Sequence, residues 1–325
     1  MSKGKTIDPQ MTDEAVREFI HDSYSLKPAN LFLKELTWKH AVRAVLRGKN
    51  VMFVGRAGCA KTMTAYALQQ AMGRPAFYFN LGATQDPRAT LIGNTQFNKE
   101  KGTYFSEALF VKAIQTPGAV ILLDELTRAH PEAWNILMTP LDLNQRYLRL
   151  DEEDGSPTIK VAEGVSFIAT ANIGSEYTST RVLDRAIKDR FTIVEIPELG
   201  DEDEYNLLKN LYPSVEEAHL RALASIADAT RKDMRSDTPK LSDALSTRAS
   251  VEAASLLFDN FTLSEVCELV VYPFFDKDGG LESERTFVKQ ICQKYIDTKK
   301  DENTGEELPD TDILFDEKDM EAASK

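Results

Sequence analysis

The chain has 325 residues, with 42% hydrophobic and 28% charged residues and a formal net charge of −13. That length supports about two domains with buried cores. The charge argues against a nucleic-acid footprint spread over the whole surface. Neither an N-terminal apolar leader core nor an 18-residue apolar run occurs, which disfavours secretion and membrane spanning and points to the cytoplasm.

Residues 1–10 are polar and expected to fray. From Thr12 to Gly48 apolar positions recur with helical spacing (Val16, Phe19, Ile20, then Leu31, Leu33, Leu36), interrupted at Pro28. Trp38–Leu46 reads as a helix stopped by Gly48. Residues 1–35 form an N-terminal helical extension on this reading. Strand and helix then alternate. The strand candidates are 50–54, 76–80, 119–123, 165–170 and 192–196. Several are apolar on both faces, as buried parallel strands are. The expectation is an α/β domain over 36–197, a mostly parallel five-stranded sheet.

The stretch Val51–Thr62 organises this domain. A strand runs into Gly55-Arg56-Ala57-Gly58-Cys59-Ala60-Lys61-Thr62, and a helix opens at the lysine. That is the layout of a phosphate-binding P-loop, whose N–H groups wrap an anion at a helix N-terminus. Lys61 is placed to reach the β- and γ-phosphates, and the Thr62 hydroxyl to ligate Mg²⁺. Ala60 departs from the usual pattern, which has glycine there. The helix continues to about residue 72, with Gly73 and Pro75 beyond it.

Asp124 and Glu125 follow the apolar run Val120–Leu123, 63 residues after Lys61. An acid at a buried strand end can ligate Mg²⁺, and its neighbour can polarise water as a general base. Phe167-Ile168-Ala169-Thr170-Ala171-Asn172 ends a third core strand in an amide able to orient that water. Arg181, Arg185, Arg190 and Arg248 are candidate guanidinium donors to a γ-phosphate. Arg185 and Arg190, five apart, stand about 140° apart on a regular helix, so both cannot face one phosphate.

Two insertions interrupt the alternation. Residues 81–105 are rich in turn formers and cannot be one helix, and 146–161 read as a hairpin with a polar turn. Another helix begins at Pro131 and carries Trp134, Leu137, Met138 and Leu141 on one side. After Pro197 the strands stop. Capping signals at Asp201 with Glu204, Ser214 with Glu217, Thr262 with Glu265, and at Ser246, predict helices over 198–297, broken at Pro273 and Gly279-Gly280. The tail 298–325 is acidic and expected to be disordered, with Ile313-Leu314-Phe315 its apolar cluster. The three cysteines (Cys59, Cys267, Cys292) and four histidines form neither a disulfide framework nor a metal-ligand pattern.

Together these motifs resemble the AAA+ ATPases, and within them the MoxR-like group, which includes Rubisco and nitric oxide reductase activases and the cobaltochelatase small subunit. The resemblance runs from about residue 36 to 255. Its carriers are the loop Gly55–Thr62, Leu123-Asp124-Glu125-Leu126 with Arg128-Ala129 and Pro131-Glu132, Ala169–Asn172, Asp189-Arg190-Phe191 and Ser246-Thr247-Arg248. The group often has Ala before the P-loop lysine. The resemblance implies ATP and Mg²⁺ as cofactors, Asn172 as sensor 1, Arg190 as an arginine finger acting in trans, and Arg248 as the sensor 2 arginine of a smaller all-helical lid. It also implies that Asn80 restrains Glu125, that the two insertions face a central pore or partner, and that the chain forms a homo-oligomeric, hexameric ring. Such rings work beside a von Willebrand factor A domain protein or another client, in metal or cofactor insertion. Nothing in these motifs reads the base, so ATP rather than GTP comes from the resemblance. Two other readings are a nucleic-acid-directed motor or clamp loader, for which Arg88, Lys99 and Lys101 offset by Asp86 and Glu100 would line the pore, and a nucleotide-gated scaffold without hydrolysis.

Overall fold

The computed structural model describes residues 11–99, 102–151, 153–172 and 183–296. The expectations for residues 1–10, for the acidic tail, and for Arg181, Glu100 and Lys101 lie outside the described residues. The described chain divides into two compact units, one ending at Glu198 and one beginning at Leu199.

The first unit opens with α1 (Asp13–Asp22) and α2 (Glu35–Leu46), followed by β1 (Val51–Gly55), α3 (Lys61–Ala71) and β2 (Ala76–Asn80). The first insertion holds α4 (Pro87–Leu91), β3 (Gly93–Asn98) and β4 (Gly102–Glu107). Next come α5 (Leu109–Gln115), β5 (Val120–Asp124) and α6 (Pro131–Leu141). The second insertion is the hairpin β6 (Tyr147–Arg149) and β7 (Thr158–Lys160), and β8 (Ser166–Asn172), α7 (Arg185–Lys188) and β9 (Thr192–Glu195) complete the unit.

The central sheet is five-stranded in the order β2-β5-β8-β1-β9, and every pairing in it is parallel. Its apolar residues alternate between two cores, as a strand's period of two requires. Val51, Phe53, Leu122 and Ile168 pack on one face with Trp38 and Val42 of α2, Leu68 of α3 and Met72 just after it. Met52, Ile121, Leu123 and Phe167 pack on the other with Phe110, Ile114, Leu137 and Leu141. Burial on both faces is why these strands read as unbroken apolar runs. The first insertion differs from its turn-rich appearance. Asp86 caps α4, accepting from the Ala89 N–H at 3.0 Å, and an antiparallel hairpin follows. Its strands are largely exposed, so they carry polar residues that hide strand character.

The second unit comprises α8 (Asp201–Leu211), α9 (Glu217–Met234), α10 (Thr247–Phe258), α11 (Leu263–Val266) and α12 (Glu284–Cys292). Leu208, Leu223, Ile226, Leu245, Val266 and Val288 form its own core. A π-helical turn (Cys267–Val271) and a 3-10 turn (Tyr272–Phe274) mark the break around Pro273. Thr262 and Glu265 form the expected capping box, and Ser246 caps α10. Two cap expectations are corrected. Asp201 is the first helical residue after Gly200, and Glu204 turns inward to a buried arginine. Ser214 does not start α9: Val215 is buried, which holds that turn against the core and delays the helix to Glu217. No described helix is long and apolar enough to cross a membrane.

Candidate functional site

Parallel pairing brings the carboxyl ends of neighbouring strands level: Asn80 pairs with Asp124, Leu123 with Ala169, and Gly55 with Asn172. In open α/β sheets ligands bind outside those ends. The P-loop leaves β1 there. A Cβ built on Gly55 would lie 2.4 Å from the Ile196 carbonyl oxygen and 2.8 Å from Cys59 Sγ, so the turn demands glycine. Ala60, with φ 63° and ψ 24°, is left-handed immediately before α3.

Lys61 starts α3 and is 8% exposed. Its ammonium donates to the carbonyl oxygens of Gly55 (3.1 Å) and Arg56 (2.5 Å) and lies 3.8 Å from Cys59 Sγ. Burial lowers its pKa and raises that of the Cys59 thiol. Thus a cation is held inside a glycine-rich loop at a helix N-terminus, where an anion gains both charge and N–H donors. Arg56 faces Glu198 across 4.0 Å, at the far side of the loop.

Three hydroxyls converge on the Asp124 carboxylate, which is 5% exposed. Thr62 Oγ1 donates to Oδ1 at 3.0 Å, Thr170 Oγ1 donates to the same oxygen, and Tyr78 donates to Oδ2 at 3.1 Å. Burial first, then the Asp124 charge, pushes the Tyr78 phenol up to about 12. Thr170 also accepts the Glu125 N–H at 3.0 Å. Glu125 takes a left-handed conformation (φ 56°, ψ 41°) where the strand ends, and its carboxylate accepts from Arg128 at 3.4 and 3.5 Å. A Cβ on Gly82 would come within 2.3 Å of Glu125 Oε2, so glycine at 82 makes the space that the acid uses.

Thr62 and Asp124 together offer hard oxygen donors a hydrogen bond apart, the donor chemistry that Mg²⁺ takes. Among the described residues no three His, Cys, Asp or Glu side chains gather as a metal cage. That matches an ion held by one carboxylate and phosphate oxygens rather than by protein alone. The residues therefore fit a Mg²⁺–nucleotide pair.

The remaining candidates lie at different distances from this cluster. Asn172 ends β8 opposite Gly55, and its N–H donates to Thr127 Oγ1 at 3.1 Å. Asn80 ends β2 level with Asp124, and its side-chain oxygen accepts the Ala83 N–H at 3.1 Å within its own turn. Arg190 is anchored in its own chain: it donates to the Met138 and Ala186 carbonyl oxygens and to Asp142 Oδ2 at 2.9, 2.7 and 3.0 Å. Arg185 is exposed and 3.9 Å from Asp189. Arg248 is exposed in the first turn of α10 and belongs to the second unit. Tyr78, Gly82 and Thr127 carry no sequence signal that marks them for the site, while Arg128 and Thr170 show only as parts of the motifs around Glu125 and Asn172.

Residues 50–191 match the family model described as "AAA domain (dynein-related subfamily)". A protein of Thauera aromatica, named as a proposed chaperone, BssE, is 30% identical over 235 residues, 72% of this chain and 75% of that protein. The chain belongs to the AAA+ ATPases. An uncharacterised protein of Staphylococcus epidermidis is 28% identical over 73% of this chain and 86% of its own length. Among solved structures, a point mutant of Thermotoga maritima RuvB superposes with a TM-score of 0.52 at 13% identity, covering 78% of this chain and 75% of that one. This last likeness concerns the AAA+ fold alone. The matched segment holds the P-loop, Asp124, Glu125, Asn172 and Arg190, while Arg248 lies beyond it.

Proposed function

We propose that this AAA+ protein is a Mg²⁺-dependent ATP hydrolase. It assembles as a homo-oligomeric, hexameric ring and remodels a client protein. The observation that carries the reading is the meeting of Lys61, Thr62, Asp124, Glu125 and Thr170 at the level ends of adjacent parallel strands. Lys61 and the N–H groups of residues 55–62 bind the phosphates, while Thr62 and Asp124 hold the ion, which when bound draws charge from the γ-phosphate. Glu125 sits one residue beyond the ligand acid, and its half-exposed carboxylate takes the proton of the attacking water. Asn172 orients that water. Arg248 contributes from the lid, and Arg190 acts in trans after exchanging Asp142 for phosphate.

The narrower assignment, to the MoxR-like branch with a von Willebrand factor A domain partner and a task in metal or cofactor insertion, rests on the motif resemblance. The chaperone-named relative supports a protein client. Phosphate release decides the chemistry. Glu125→Gln should keep ATP binding and lower turnover about a hundredfold or more, whereas Lys61→Ala should lose binding itself. Undiminished turnover in Glu125→Gln would remove Glu125 from the role of base.

A further inference from the structure

Asp124 Oδ1 is served by two threonines, Thr62 of the P-loop and Thr170 of the neighbouring strand, but Oδ2 is served by a residue of another kind. Tyr78 lies on β2, the edge strand, two residues before the strand's end. Its ring stacks on Tyr66, with centroids 5.4 Å apart and planes at 22°. Tyr66 stands on α3 four residues after Thr62, one helical turn along the same face. Both rings are about two-fifths exposed, 36% for Tyr66 and 40% for Tyr78, yet the Tyr78 hydroxyl reaches the buried carboxylate. A large aromatic on an edge strand has no packing need to turn toward an acid. Here one ring wall extends from the P-loop helix across to the sheet edge and ends on Asp124.

We propose that Tyr78 is a positioning residue for the metal-ligating carboxylate. Its hydroxyl fixes the plane of the Asp124 carboxylate through Oδ2, and Tyr66 holds the phenol in that pose by stacking. With one oxygen bound to Thr62 and Thr170 and the other to Tyr78, the carboxylate cannot rotate, so it meets Mg²⁺ without first being ordered. Hydrogen bonds to a charged acceptor are among the stronger ones, so losing this one should be felt at the ion rather than in the fold as a whole.

This role rests on the ATPase reading, and the test keeps the two apart. The fluorescent analogue mant-ATP is titrated into wild type and Tyr78→Phe, both in the Glu125→Gln background, at Mg²⁺ concentrations from micromolar to millimolar. Tyr78→Phe keeps the ring and the stack. The expected result is unchanged binding without Mg²⁺ and a Mg²⁺ midpoint raised about three- to tenfold, as the loss of one charge-assisted hydrogen bond allows. Tyr66→Ala, which keeps the Tyr78 hydroxyl but removes its support, should move the midpoint in the same direction; it also serves if Tyr78→Phe fails to fold. Steady-state hydrolysis in the Glu125 protein should show the same shift with little change in kcat at saturating Mg²⁺. Midpoints within twofold of wild type in the folded variants would overturn the positioning role and leave the ATPase reading intact. A wild-type protein that neither binds mant-ATP nor releases phosphate at any Mg²⁺ concentration would overturn both.

Discussion

At the scale of single residues, two backbone positions decide how the site is held. Ala60 occupies a left-handed conformation before α3 although it has a Cβ. A non-glycine residue there costs about 1–2 kcal/mol, and glycine returns part of that as unfolded-state entropy. Ala60→Gly should therefore raise stability by about 0.5–1 kcal/mol, read from the urea midpoint at unchanged m-value; a lowered midpoint would show that the loop is relaxed with alanine. Gly82 makes the opposite case. Its missing Cβ leaves the space that Glu125 fills, so Gly82→Ala must displace the carboxylate. Turnover should fall about ten- to a hundredfold, the cost of misplacing a catalytic group by about an ångström. Mant-ATP binding should stay near wild type. Equal loss of both would mean that the whole loop had moved.

At the scale of elements, what can be read from the sequence follows burial. The five core strands are legible because each is covered on one or both faces and so carries an apolar run, and the P-loop because its spacing is local. That residues 78 and 170 meet Asp124 is not legible, since contacts 46 residues away in either direction leave no local pattern. Asn80 and Arg190 are placed by motif, but their hydrogen-bond partners are set by turns and helices around them. The same limit explains Glu204. Its spacing suits a cap partner for Asp201, yet its partner is Arg231, 27 residues on, which it meets through two oxygens at 2.8 and 2.9 Å. Arg231 also donates to the carbonyl oxygens of Leu199 and Leu245, tying α8, α9 and the approach to α10 together. Both side chains are almost fully buried. Arg231→Ala leaves Glu204 charged and without its bidentate partner in the core, which should cost about 3–5 kcal/mol in thermal or denaturant unfolding. Replacing both by apolar residues of similar volume, as in Glu204→Leu with Arg231→Met, should recover most of that loss.

At the scale of the whole molecule, each unit carries its own core, and the acids, the P-loop and the candidate finger Arg190 all belong to the first. A guanidinium committed to Asp142 in its own chain can act in trans only by exchanging partners. Mixed assemblies test this. Arg190→Ala and Lys61→Ala subunits, each inactive alone, should regain part of the hydrolysis when mixed in rings, because an intact Lys61 site can then face an intact Arg190. Asp142→Asn supplies the control for stability, since it weakens the internal pair while leaving the guanidinium. No recovery at any mixing ratio would assign Arg190 to the fold of its own subunit.

Thr170 gives one last consequence. Its hydroxyl takes the Glu125 N–H and gives its own proton to Asp124, so a single side-chain oxygen links both acids to the next strand. Val has the same shape and would pack as well in β8, but it could neither accept nor donate. What residue 170 contributes to these two contacts is therefore one oxygen atom rather than volume. Serine keeps that oxygen, and the threonine that looks like strand filler is the splice that ties Asp124 to the backbone of Glu125.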